Sequence, residues 1–115
     1  FAGKKFEDKK IYQPYQNLAN VYVILKKYDK AEEALKEAIK LATEVGDLYI
    51  RLADLYQNLM NAPSQKIIDL YESALHRESY QPDVLYPAYA RYLCSIGKDK
   101  EAVEKTKLSC DKFKD

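Results

Sequence analysis

Residues 15–38 read YQNLANVYVILKKYDKAEEALKEA. Tyr15, Leu18, Ala19 and Tyr22 recur at steps of three and four, as do Ala31, Leu35 and Ala38 after a short break at Lys27–Asp29. Residues so spaced meet on one side of a helix, so each half is amphipathic. Ala19 opens a notch in which a neighbouring helix comes close, while Tyr15 and Tyr22 fill the space beside it. An aromatic, small, aromatic face opposite an alanine, leucine, alanine face predicts two antiparallel helices in tight contact.

The pattern returns downstream. Tyr49, Leu52, Ala53 and Tyr56 repeat the first helix at a shift of 34 residues, and Ile67, Tyr71 and Ala74 repeat the second after a connection two residues longer. Tyr86, Tyr89, Ala90 and Leu93, followed by Ala102, Thr106 and Ser109, form a third and more polar version. A lone helical pair cannot bury its apolar face, so such pairs stack and share a core. Ala19, Ala53 and Ala90 are expected at the closest helix approaches.

Local signals set the expected boundaries. Residues 1–11 are read as a charged N-terminal extension or linker, with order beginning near Ile11 and the first helix near Pro14. Asp29 with Glu32 reads as a capping box for a second helix over about 30–45, ended by Gly46 at positive φ. Asp47 caps a third helix reaching Met60, and Pro87 is tolerable only in the first turn of a fifth. Gly97 stops that helix and Asp99 opens the sixth. The units are 12–45, 46–82 (with an insertion near 61–64) and 83–115.

This unit resembles the tetratricopeptide repeat, whose signature is W-x2-L-G-x2-Y followed by A-x3-F, A and P. Tyr15-x2-Leu18-Ala19-x2-Tyr22 with Ala31-x3-Leu35-x2-Ala38 carries the resemblance, with Tyr for Trp, Ala for Gly and Leu for Phe. It implies an all-α fold, an α-solenoid of three antiparallel helix pairs wound as a right-handed superhelix. It also implies a non-enzymatic module that holds a protein or peptide partner along its concave side. Mapped onto this chain, that groove takes Gln13, Gln16, Asn20 and Val23 from the first unit, Ile50, Asp54 and Gln57 from the second, and Arg91 and Cys94 from the third. The carboxylate clamp of some relatives would fall on Gln16, Asn20, Arg51, Val84 and Ala88, where only Asn20 agrees, so a clamp is not expected.

Composition narrows the alternatives. A chain of 115 residues is one domain's worth, and 47% hydrophobic with 32% charged residues suits a folded protein. Nineteen basic against eighteen acidic residues give no global field toward nucleic acid or anionic membrane. RNA binding needs a basic groove with stacking aromatics, whereas Asp47 and Asp54 stand beside Arg91 here. His76 is the only histidine and has no nucleophile partner by spacing, and no metal-ligand or phosphate-loop motif occurs, so neither catalysis nor a cofactor is expected. Glu32, Glu33, Glu37 and Glu44 interleave with lysines as a solvated face. Cys94 and Cys110 read as two ordinary thiols, without information on compartment. The chain starts at Phe1, which suggests a piece of a longer protein, and its third unit lacks a polar capping helix. Further repeats or self-association through that end are therefore the other expected uses.

Overall fold

The computed structural model describes residues 9–113. Six α-helices follow one another: α1 (Lys9–Ile24), α2 (Tyr28–Leu41), α3 (Gly46–Leu55), α4 (Ser64–Leu75), α5 (Pro82–Ser95) and α6 (Asp99–Thr106). No strand occurs among the described residues, and short turns fold the helices into three antiparallel pairs, so the fold is the all-α helical-repeat class that the spacing predicts. The chain divides into two compact units, one ending at Tyr80 and the other starting at Gln81. Residues 1–8 of the expected extension lie outside the described residues. Lys9 to Ile11 already belong to α1.

The first pair is held by small residues. Ala31, Leu35 and Ala38 of α2 and Ala19 of α1 are buried, as their spacing requires. A core cluster of Tyr12, Ala38, Ala42, Val45 and Leu48 closes the far end, with Tyr15 and Ile39 packed against it. The buried face of α1 is rotated from the expected one: Tyr12, Gln16 and Ala19 are buried, Tyr15 and Tyr22 are half-buried, and Leu18 is 40% exposed. Pro14 is also not at the helix start but at its sixth residue, where the helix runs on without one backbone hydrogen bond.

Turn chemistry departs from the glycine and capping rules. Lys26, at φ 62°, ends α1 in the left-handed region, and the Lys27 amide donates to the Tyr22 carbonyl at 2.8 Å. The third pair closes alike: Gly97 has φ 80°, and the Lys98 amide donates to Leu93 at 2.9 Å. Both are six-to-one helix closures. Asp29 is not a cap, because α2 already starts at Tyr28 after Lys27 and no side chain caps it. The Glu32 carboxylate is drawn away to another helix. Likewise Val45, not Asp47, precedes α3.

Gly46 does not stop a helix at positive φ; it opens α3, and its role is close approach. Its amide donates to the Ser79 carbonyl at 2.5 Å, while the Ser79 amide donates to Glu44 at 3.0 Å, forming an isolated parallel bridge between Val45 and Ser79. A Cβ at position 46 would lie 2.8 Å from the Tyr80 Cβ and 3.0 Å from the Ala74 carbonyl oxygen. Glu44 strengthens this latch: it accepts from the Glu78 amide at 3.2 Å and pairs with Arg77 at 3.4 Å. Arg77 stacks 5.2 Å from the Tyr49 ring centroid, and the Tyr49 hydroxyl donates to the Thr43 carbonyl at 2.9 Å. The α2–α3 corner is thereby fastened to the end of α4.

From Leu48 to Tyr56, α3 and the turn after it are buried except at Arg51 and Asp54, because α3 packs on both α2 and α4. Its last turn, Tyr56–Met60, is π-helical, and Asn61 ends it in the left-handed region at φ 53°. Ile67, Tyr71 and Ala74 of α4 are buried at the expected positions.

The second unit is built from α5, α6 and a 3-10 turn, Cys110–Phe113. Leu85, Tyr89, Ala90, Tyr92 and Leu93 of α5 are buried, with Ala102 and Thr106 of α6. Pro87 lies in the helix interior, five residues past Pro82, not in the first turn. The sixth helix stops at Thr106, whose hydroxyl turns back to the Ala102 carbonyl at 2.6 Å, and Lys107 reverses the chain at φ 63°. Ser109 therefore lies outside the helix and is exposed. Cys94 and Cys110 are not free thiols: they form a disulfide with a Cα–Cα distance of 5.6 Å. Arg91 stacks beside it, 5.1 Å from the Phe113 ring centroid.

Candidate functional site

The inner sides of α1 and α3 leave a cleft of about 260 Å³ within the first unit. Ala19, Asn20, Val23 and Ile24 line it from α1, and Arg51, Asp54 and Leu55 from α3. Leu35 of α2 forms part of the floor, and Leu59 enters from the π-helical turn. Ala19 has only a methyl group to set into the gap, which leaves room for the cleft at that level.

Three of the groove residues expected from the sequence meet here: Asn20, Val23 and Asp54. Gln16 and Ile50 do not face a groove, each being only 9% exposed. Gln16 lies on the rotated inner face of α1 and accepts from the Gln13 amide at 3.1 Å, and Ile50 belongs to the enclosed part of α3. Gln13 also donates to Asn17 at 3.2 Å, and Gln57 is half-buried at the π turn. Arg91 and Cys94 belong to the second unit, where the guanidinium stacks on Phe113 and the sulfur is bonded to Cys110.

The cleft mouth is polar. The Arg51 guanidinium donates to the Asn20 amide oxygen at 3.4 Å, joining α3 to α1, and the Asn58 amide donates to Asp54 at 2.5 Å. Ile24, Leu55, Leu59 and Arg51 were not among the expected site residues. Ile24 falls four residues after Asn20, so extending that stripe by one helical turn would have found it, whereas Leu59 lies in the π-helical turn, off the spacing of Ile50, Asp54 and Gln57.

Behind the cleft, the Tyr56 hydroxyl donates to the Glu32 carboxylate, which also pairs with Lys36 at 3.2 Å. Lys66 stands 5.5 Å from the Tyr56 ring centroid. The Tyr56 hydrogen bond holds Glu32 below the usual carboxylate range, with help from Lys36 and Lys66 against the opposing effect of burial. Burial, and then the Glu32 carboxylate, push the Tyr56 phenol well above its ordinary range. The pair binds α2 to the π turn, so it steadies the wall that carries Leu59.

Among the described residues no group of three or more His, Cys, Asp or Glu could hold a metal ion, and no helix is long and apolar enough to cross a membrane. His76 stands at the C-cap of α4, exposed. The arrangement offers apolar contact and hydrogen bonding rather than a nucleophile beside a base.

Neither the curated proteins nor the solved structures compared with this chain contain a match. Residues 12–44 match the family model of the tetratricopeptide repeat, a family that generally mediates protein–protein interaction. That segment spans α1, α2 and the turn between them, with Ala19, Ala31, Leu35 and Ala38 all buried as the repeat's contact requires. The α1–α2 pair of this chain is therefore similar to a tetratricopeptide repeat.

Proposed function

We propose that the chain is a protein-interaction scaffold that holds a peptide or helix of a partner protein against α1 and α3 of the first unit, with α5 of the second unit offering a contact of its own. The repeat frame we assign is an extension over 1–11 and units at 12–45, 46–82 and 83–115. The observation that supports this reading is the cleft between α1 and α3, with its apolar floor and polar mouth. Asn20, Val23, Asp54 and Gln57 form the contact surface in the first unit, and Arg91 in the second. Gln13 lies at its edge.

Photo-crosslinking tests the reading. A crosslinking amino acid at Asn20 or Asp54 is expected to trap the partner, while the same group at Glu104, exposed on α6, is not. Asp54→Lys and Arg91→Glu are expected to weaken capture. Equal trapping from all three positions, with capture unaffected by both reversals, would move the binding surface elsewhere.

A second reading, stacking on further repeats or on a second copy, is favoured by one observation. Ile11, Leu18 and Val21 of α1, with Leu25 in the turn after it, are exposed at heptad-like spacing. Sedimentation across a concentration range separates the two: a chain that stays monomeric throughout removes self-assembly.

A further inference from the structure

The cleft has a chemistry that selects among peptides. Its lining is aliphatic, and two of the side chains around it are left in water: Ile24 is 78% exposed and Leu59 40%. Arg51 and Asp54 stand at the mouth three residues apart on α3, about 4.5 Å along the helix axis. Both are exposed. Among the described residues Arg51 makes one long hydrogen bond, to Asn20, and no ion pair. Asp54 accepts from the neutral Asn58 amide and has no cationic partner. A guanidinium with spare donors in a planar fork suits a carboxylate, and an exposed carboxylate suits an ammonium or guanidinium.

We propose that this cleft binds a linear peptide segment of a partner protein through one branched aliphatic side chain, flanked within two residues by an acidic residue on Arg51 and a basic residue on Asp54. The inference rests on the interaction reading above and deepens it by naming the peptide chemistry. The aliphatic anchor takes out of water the apolar surface that Ile24 and Leu59 now present. The paired charges fix the direction in which the segment lies, because reversing it sets like charges against each other. An anionic polymer or lipid surface fits poorly, since among the described residues Arg51 is the one cation lining the cleft and Asp54 stands beside it.

A phage library of random twelve-residue peptides selected on the immobilised full chain tests the proposal. The expected selection carries leucine, isoleucine or valine with an acidic and a basic residue in a constant order. Fluorescence polarisation with a selected peptide is expected to show Ile24→Asp and Leu59→Asp each weakening binding about tenfold or more. Circular dichroism checks the fold, and Ile24, largely in solvent, serves if Leu59→Asp disturbs the π turn. Repeating the selection on the exchange variant Arg51→Asp with Asp54→Arg is expected to invert the order of charges in the selected peptides. Selected peptides that withstand Ile24→Asp, or whose charges ignore the exchange, would overturn the cleft proposal and leave the scaffold reading standing. No selection at all would overturn both.

Discussion

Reducing the Cys94–Cys110 disulfide should loosen the second unit far more than its size suggests. The bond closes a loop with a sequence separation of 16 residues that contains the whole of α6. That helix has eight residues, too few to persist without tertiary support. Its support is Ala102 and Thr106 against α5, the disulfide, and the contact of Arg91 with Phe113. Closing a loop of this length removes chain entropy from the unfolded state worth about 3 kcal/mol. The figure corresponds to about a hundredfold in an opening equilibrium.

Amide hydrogen exchange is the suitable assay, because it reads α6 separately from the first unit. With the bond intact, alkylation under denaturing, non-reducing conditions should label no cysteine, and after reduction it should label two. Protection of residues 99–113 should then fall about a hundredfold in the reduced protein, and equally in the Cys94→Ser, Cys110→Ser double variant. Protection within α1 and α2 should not change. Unchanged exchange over residues 99–113, or free thiols in the unreduced protein, would refute the reasoning.

Three further outcomes are expected. Ala53→Leu overpacks a fully buried contact and should lower stability by roughly 1–3 kcal/mol, whereas Gln57→Leu, half-buried at the π turn, should change it little; thermal melts compare them. Gly46→Ala sets a Cβ against the Tyr80 Cβ and two carbonyl oxygens, so the Val45–Ser79 bridge must open, and amides 46 and 79 should lose protection in exchange measurements. Tyr56→Phe removes the hydroxyl from Glu32 and should cost about 1–2 kcal/mol in urea unfolding at pH 7. The same variant should flatten the pH profile at both ends. Glu32, with its folded pKa lowered, contributes stability above its unfolded value that is lost as pH falls through the folded one. Tyr56, with its folded pKa raised, contributes stability that is complete below 10 and declines as pH rises past it.

The spacing of small and aromatic residues made the helical pairs legible, because an alanine at a helix contact has few substitutes. Ala19, Ala31, Ala38, Ala53, Ala74, Ala90 and Ala102 are all buried where the periodicity places them. Helix ends were less legible. Lys26, Asn61 and Lys107 occupy left-handed positions that glycine rules would have assigned elsewhere, and Pro14 and Pro87 lie inside helices that tertiary packing carries through. Interactions between distant residues left no local trace. Glu32 and Glu44 resemble their neighbour Glu37 in sequence, yet Glu37 pairs with Lys40 on the surface while the other two reach Tyr56 and Arg77. The disulfide was hidden for the same reason, since Cys94 and Cys110 meet only once Lys107 has reversed the chain. At the candidate site, Asn20, Val23 and Asp54, chosen by position in the repeat, line the cleft. Gln16 and Ile50 were misplaced, because the rotation of α1 and the enclosure of α3 are set by neighbouring helices.

Each helical pair uses the same kind of contact between helices, while the residues and cross-links at its closure vary. The first relies on Lys26 in the α1–α2 turn, the second on the π turn, Asn61 and the Glu44–Arg77 latch, and the third on Gly97 and the disulfide. The contact tolerates little change, since alanine is already the smallest side chain that keeps helix propensity high. The closures sit at helix ends, where many chemistries satisfy the same unpaired carbonyls and amides. The cleft lies between these two regimes. Ala19 opens it as part of the contact, whereas Leu59 reaches it only because the second pair ends in a π turn pinned by Tyr56 and Glu32. On the proposed peptide-binding reading, recognition is coupled to how one pair is closed, and a substitution at Tyr56, outside the cleft lining, should still alter which peptide fits.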